Sequence, residues 1–142
     1  ALDCPYEGEV APKAVADVAV RLQDMGCFEV AVADTIGRGT PERTAWMLDA
    51  VLSCVPAEHL AGHFHDTGGL AIANVAVAFE KGITVFDGAV GGLGGCPYAP
   101  GAAGNLATEK LVAYFEERGV STGVDAAALR AIGGWVRGLL AV

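Results

Sequence analysis

Leu60-Ala61-Gly62-His63-Phe64-His65-Asp66-Thr67-Gly68-Gly69 is the stretch that decides the fold. Leu60 to His65 reads as a buried strand. Asp66 ends it, and the residues from Gly69 to Lys81, apolar nearly all round, read as a buried helix that closes at Gly82. Residues i and i+2 of a strand share a face, so His63 and His65 aim at one spot while Phe64 points the other way. Two neutral imidazoles converging on a point is a metal-ligand geometry, and an apolar core has little reason to place them there.

The same strand–Asp–Thr–helix unit occurs upstream. Phe28 to Ala33 reads as a strand ending at Asp34, and Asp34-Thr35-Ile36-Gly37 parallels Asp66-Thr67-Gly68-Gly69. Thr40-Pro41 reads as an N-cap with proline at the first helical position; the helix carries Ala45, Leu48, Val51 and Leu52 and stops before Pro56. Before that strand, Pro12 starts a helix with Val15, Val18, Ala19, Leu22 and Met25 at helical spacing, closed by Gly26. Downstream, Ile83 to Phe86 reads as a third strand ending at Asp87. A glycine-rich loop and a helix from about Leu106 to Arg118 follow. A last helix is capped by Asp125 and carries Leu129, Ile132, Val136 and Leu139. Gly133 and Gly134 weaken that helix, so it needs something to dock against.

Strands alternating with helices imply an α/β fold with parallel strands, and such folds gather their chemistry at the strands' carboxyl ends. Three strands cannot close a barrel. Cys4-Pro5-Tyr6-Glu7-Gly8 reads as the loop after a fourth strand, and a (β/α)8 barrel usually needs roughly 250 residues. The 142 residues therefore read as one domain's worth of chain covering roughly the second half of such a barrel.

Composition narrows the partners. The chain is 53% hydrophobic with a mean hydropathy of +0.43, and helix-covered parallel strands explain this. No apolar run approaches the ~18 residues of a membrane helix. A net charge of −8 argues against nucleic acid or an anionic membrane as partner. The four cysteines, Cys4, Cys27, Cys54 and Cys96, form no C-x-x-C pair. Cys27 and Cys54 read as ordinary buried residues. With no secretory signal, the thiols read as reduced and the compartment as cytosol-like.

Three further residues compete between chemical and structural roles. Cys96 sits among glycines in the loop from Gly88 to Gly104, which matches neither a P-loop nor a dinucleotide fingerprint. Such a backbone can move and approach a ligand closely, making Cys96 a candidate acid, base or nucleophile. Asn105 reads equally as an N-cap or as a carbonyl ligand to a metal. Asp34 reads as a loop or cap carboxylate, or as a group that orients substrate. His59, in a polar segment, reads as a surface histidine.

Taken together, these motifs resemble the 3-hydroxy-3-methylglutaryl-CoA lyase family. The resemblance rests on residues 62–67, on Gly-Leu-Gly-Gly-Cys-Pro-Tyr at 92–98, and on Gly-Ala-Ala-Gly-Asn-Leu-Ala-Thr-Glu at 101–109. Cys4-Pro5-Tyr6-Glu7-Gly8 and Asp34-Thr35-Ile36-Gly37 extend it. It covers nearly the whole chain; Gly91 and Ala103 replace the family's usual Ala and Ser. It implies a (β/α)8 barrel that cleaves 3-hydroxy-3-methylglutaryl-CoA to acetoacetate and acetyl-CoA, in leucine catabolism or ketone-body formation. It also implies Mg2+ or Mn2+ held by His63, His65 and Asn105, with Cys96 and His63 in proton transfer and Asp34 in the substrate pocket. A further metal ligand, an Asp beside an essential Arg, belongs to the family's first strand and maps to nothing here.

Three neutral ligands hold Mg2+ poorly. The isolated chain is therefore expected to be inactive, and its open sheet edges to favour self-association, homo-oligomer formation or a complementary half. The implied location is the cytoplasm or the mitochondrial matrix. Other metal-dependent aldolases and Claisen enzymes of this barrel class share the H-x-H strand, but they usually follow it with Asn-Asp or Asn-Asn and lack the Gly-Gly-Cys-Pro-Tyr loop. A non-catalytic truncated half-barrel is the other alternative; a structural zinc protein is weaker, because the thiols are scattered.

Overall fold

The computed structural model describes residues 1–94 and 104–140. The chain opens with a small antiparallel hairpin of β1 (Asp3–Cys4) and β2 (Gly8–Glu9), where the sequence predicts a loop. Helices and strands then alternate: α1 (Pro12–Asp24), β3 (Val30–Asp34), α2 (Pro41–Leu52), β4 (Leu60–Phe64), α3 (Ala71–Glu80) and β5 (Val85–Asp87). Helices α4 (Thr108–Glu116) and α5 (Ala126–Leu140) complete the chain. No helix among the described residues is long and apolar enough to cross a membrane.

The main sheet is parallel, in the order β3-β4-β5. Sequence order equals spatial order, as in a barrel arc. Register sets two faces. Val30, Val32, Leu60 and Phe64 belong to the buried core with Val15, Ala19, Leu48, Val51, Val75 and Phe115. Gly62 lies on this side because a Cβ there would fall 2.8–2.9 Å from the rings of Phe64 and Phe86. The opposite face carries the rows Ala31–Ala61–Val85 and Ala33–His63–Asp87. Ala31, Val85 and Asp87 on it are exposed.

Local chemistry explains the helix starts. Thr40 caps α2 by accepting the Arg43 N–H on Oγ1 at 3.3 Å, with Pro41 in the first turn. Asp125 caps α5, its Oδ1 accepting the N–H groups of Ala127 and Ala128 at 2.9 and 3.0 Å. Gly133 gives α5 its docking point: the Glu109 carboxylate occupies the space a side chain there would need. In α1 the buried face is Val15, Ala16 and Ala19; Val18 and Met25, expected on it, are exposed. Cys27 and Cys54 correct the sequence reading: both are exposed, because they fall just beyond the ends of α1 and α2 rather than on their core faces. His59 is exposed, as expected, with Nδ1 3.2 Å from the Phe28 carbonyl.

The amino-terminal residues lie along the outer edge of β3. The Leu2 N–H donates to the Ala33 carbonyl at 3.0 Å, and the Val10 N–H donates to the Leu2 carbonyl at 3.0 Å. Arg43 of α2 ties them down, with NH1 and NH2 3.1 and 3.0 Å from the two carboxylate oxygens of Asp3.

Candidate metal centre at the carboxyl end of the sheet

His63 and His65 stand where β4 ends, and the alternation of the strand brings them together. Their ring centroids lie 5.2 Å apart, at an interplanar angle of 62°. Phe64 between them is buried in the opposite direction, as expected. His63 is half-buried, and its Nδ1 lies 2.5 Å from Oδ1 of Asp87, its cross-strand partner on β5. His65 is only 6% exposed, and its N–H donates to the Asp34 carbonyl at 3.2 Å. Burial, and next the neighbouring His63, hold the His65 ring's pKa below the ordinary imidazole value. A ring kept neutral in this way has a lone pair available for a cation.

Asn105 joins this pair from the far side of the glycine loop. It faces His65 in an isolated antiparallel bridge, made because residues 104–106 return along the end of β4. The Leu106 N–H donates to the Phe64 carbonyl and the Asp66 N–H to the Gly104 carbonyl, each at 3.0 Å. The N-cap of α4 is Ala107, so the cap reading of Asn105 falls away. Its backbone N–H donates to the Gly94 carbonyl at 2.9 Å, and its Nδ2 donates to the Leu93 carbonyl at 2.8 Å. Asn105 thus ties both sides of the loop's stem. The stem is tight: at Gly104, φ is +87°, and a Cβ would fall 2.8 Å from the Gly92 carbonyl oxygen.

The donor set fits a divalent cation in one specific respect. Four buried side-chain atoms lack a hydrogen-bond partner among the described residues: Thr44 Oγ1, Asn74 Oδ1, His65 Nδ1 and Asn105 Oδ1. Two of the four belong to the site read from sequence. Buried polar atoms are normally paired, and a cation satisfies an imidazole nitrogen and an amide oxygen together. Among the described residues no group of three His, Cys, Asp or Glu is arranged to hold a metal ion, and the three donors read from sequence are all neutral.

Asp34 lies beneath the site, fully buried. Oδ2 accepts the Gly39 N–H at 2.7 Å and Oδ1 the Arg38 N–H at 3.1 Å, so its carboxylate shapes the loop after β3. That loop docks on its sequence counterpart: the Gly68 N–H donates to the Gly37 carbonyl at 2.9 Å. Cys96 lies outside the described residues. Asp87 was not singled out from sequence as a site residue; the signal was its place as the third strand-terminal Asp, on the strand beside the H-x-H strand.

A singly wound α/β arc with two histidines and an asparagine gathered at the carboxyl ends of its strands defines a class: barrel-type α/β folds, which keep their sites at that end. Comparison with known proteins makes this specific. A family model described as HMGL-like matches residues 1–136, and the chain belongs to that family. The hydroxymethylglutaryl-CoA lyase of Pseudomonas mevalonii is 52% identical over 132 residues, which are 93% of this chain and 44% of the relative. A Pseudomonas aeruginosa protein named 3-hydroxy-3-isohexenylglutaryl-CoA/hydroxy-methylglutaryl-CoA lyase is 54% identical over 128 residues, 90% of this chain and 43% of that protein. The crystal structure of the HMG-CoA lyase from Brucella melitensis superposes with a TM-score of 0.94 at 54% identity, covering 97% of this chain and 49% of that one. Relatives named as mitochondrial and as cytoplasmic forms also match. The chain thus spans about half the length of the relatives it matches, and it has the α/β architecture of this barrel superfamily.

Proposed function

We propose that this chain is the metal-binding second half of a lyase barrel that cleaves 3-hydroxy-3-methylglutaryl-CoA to acetoacetate and acetyl-CoA. The observation that carries the reading is the meeting of two buried donors, His65 Nδ1 and Asn105 Oδ1, which bond to no other described residue, beside His63 at the carboxyl end of the sheet. Names borne by relatives at 52–54% identity support the reaction class.

His63, His65 and Asn105 would hold the ion, Mg2+ or Mn2+. When bound, it would acidify the substrate's tertiary hydroxyl and hold it in place. His63, half-buried at the open face, sits beside the path by which that hydroxyl's proton leaves; loss of the proton breaks the carbon–carbon bond and leaves a thioester enolate. Cys96 returns a proton to that enolate carbon. Asp34 acts on the substrate through the loop 35–39, whose backbone its carboxylate holds. The name of the Pseudomonas aeruginosa relative makes a longer branch at the substrate's third carbon the second candidate.

The open sheet face supports the half-barrel reading. Parallel sheets are covered on both faces, yet Ala31, Val85 and Asp87 lie bare on this one. Bare faces and unpaired edges favour a complementary barrel half or, without it, self-association into a homo-oligomer. The missing half supplies the carboxylate that three neutral donors need to hold Mg2+. We place the enzyme in the cytoplasm or the mitochondrial matrix, where reduced thiols persist.

The test is reconstitution. Co-expression with the first half of the Brucella melitensis relative should restore metal-dependent acetoacetate formation from 3-hydroxy-3-methylglutaryl-CoA, whereas the 142-residue chain alone should show none. Turnover by the isolated chain, or a folded, metal-loaded assembly without turnover, overturns the proposal.

A further inference from the structure

His63 is held from behind by a residue to which no role has yet been given. Asp87 is its partner in the parallel β4–β5 register, on the same face of the sheet, with Oδ1 2.5 Å from His63 Nδ1. A carboxylate only accepts hydrogen bonds, so Nδ1 is the nitrogen that carries the proton toward Asp87, and a ring with one proton keeps its free lone pair on Nε2. We infer that Asp87 is the positioning residue of the centre: it sets the tautomer and orientation of His63 and so makes Nε2 the atom that ligates the cation. This rests on the divalent-site reading above.

Two features make this more than a chance ion pair. First, the contact is dictated by sheet register, not by a flexible surface side chain: His63 and Asp87 are the last paired row of the β4–β5 ladder. Second, Asp87 keeps its side chain 58% exposed at a strand end while engaging a ring that is only 29% exposed. Ligating histidines characteristically give their second nitrogen to such a carboxylate, which orients the ring and raises its basicity.

The experiment reads the ring directly. In the 15N-histidine-labelled chain without metal at neutral pH, long-range 1H–15N correlations should show His63 as a single Nδ1–H tautomer. Asp87→Ala should shift it toward the Nε2–H form. Asp87→Asn, which keeps shape and an acceptor oxygen but no charge, should lie between the two. Mn2+ affinity, read by electron paramagnetic resonance, should fall about 10-fold in Asp87→Ala and less in Asp87→Asn. Asp49→Ala, which removes the exposed partner of Lys81, should move neither readout.

An unchanged tautomer in both Asp87 variants overturns the inference, whatever happens to Mn2+; loss of Mn2+ with the native tautomer means that Asp87 ligates directly. A tautomer that follows Asp87, in a chain that takes up no Mn2+ either alone or reconstituted with the first half of the Brucella melitensis relative, keeps the positioning role and overturns the divalent reading instead.

Discussion

Asn105 lies opposite His65 in an antiparallel bridge and gives its amide nitrogen to the Leu93 carbonyl at 2.8 Å, while its Oδ1 stays buried without a partner among the described residues. One side chain therefore stands both at the proposed metal centre and in the stem of the cysteine loop. The two roles separate by substitution. Asn105→Asp keeps an oxygen beside His65 and adds a charge but removes the donor to Leu93. It should tighten Mn2+ binding and loosen the stem, seen as faster hydrogen exchange at the residue-105 amide that bonds the Gly94 carbonyl. Asn105→Ala should lose both, with Mn2+ affinity down more than about 10-fold.

Gly37 is where the two related loops meet. Its φ is +67°, and a Cβ would fall 2.7 Å from the backbone nitrogen of Thr67. Ala there carries left-handed strain and a clash with backbone that cannot rotate away. Gly37→Ala should destabilise the chain by about 1–3 kcal/mol, measured by denaturant unfolding, and should weaken Mn2+ binding by displacing the loop that follows His65.

Arg43 anchors the amino-terminal hairpin. It bonds both oxygens of Asp3, which is 8% exposed, and approaches Glu9 at 3.7 Å. Arg43→Ala leaves a buried carboxylate unpaired and should cost about 1.5–3 kcal/mol. Arg43→Lys keeps the charge but not the paired geometry and should recover only part of that. Thermal unfolding of the two variants against the native chain decides the order.

Acid should loosen α5 before the sheet. The N–H groups of Ala128 and then Ala127 hold the Asp125 carboxyl below its ordinary pKa. A carboxyl whose folded pKa is depressed stabilises the fold above its unfolded pKa, near 3.9, and the contribution is lost as the pH falls through the lower folded value. Helical circular dichroism of α5 should therefore fall in that window, and Asp125→Ala should show the looser helix already at neutral pH.

The architecture was legible because each strand and helix carries its own period and punctuation. Leu60 to His65 is a short apolar run bounded by turn residues, Thr40-Pro41 caps, and Asp34 and Asp87 close their strands as read. The H-x-H pair was legible for the same reason, since a strand has only two faces. What escaped depends on neighbours. Val18 and Met25 have helical spacing, but the turn of α1 that meets α2 and β3 is Val15, Ala16 and Ala19. Asn105 looked like a cap because a helix follows it, yet the bridge to His65 moves the helix start to Thr108. Asp87 could be matched to His63 only through register, which local pattern does not contain.

The central claim is that His63, His65 and Asn105 form one divalent site. The direct measurement is pulsed electron paramagnetic resonance of Mn2+ at saturation in the 142-residue chain, reading the nitrogens coupled to the ion. Two imidazole nitrogens should couple in the native chain and one in either His63→Ala or His65→Ala. A spectrum in which Mn2+ sees no imidazole nitrogen, or in which both variants keep two, would contradict it.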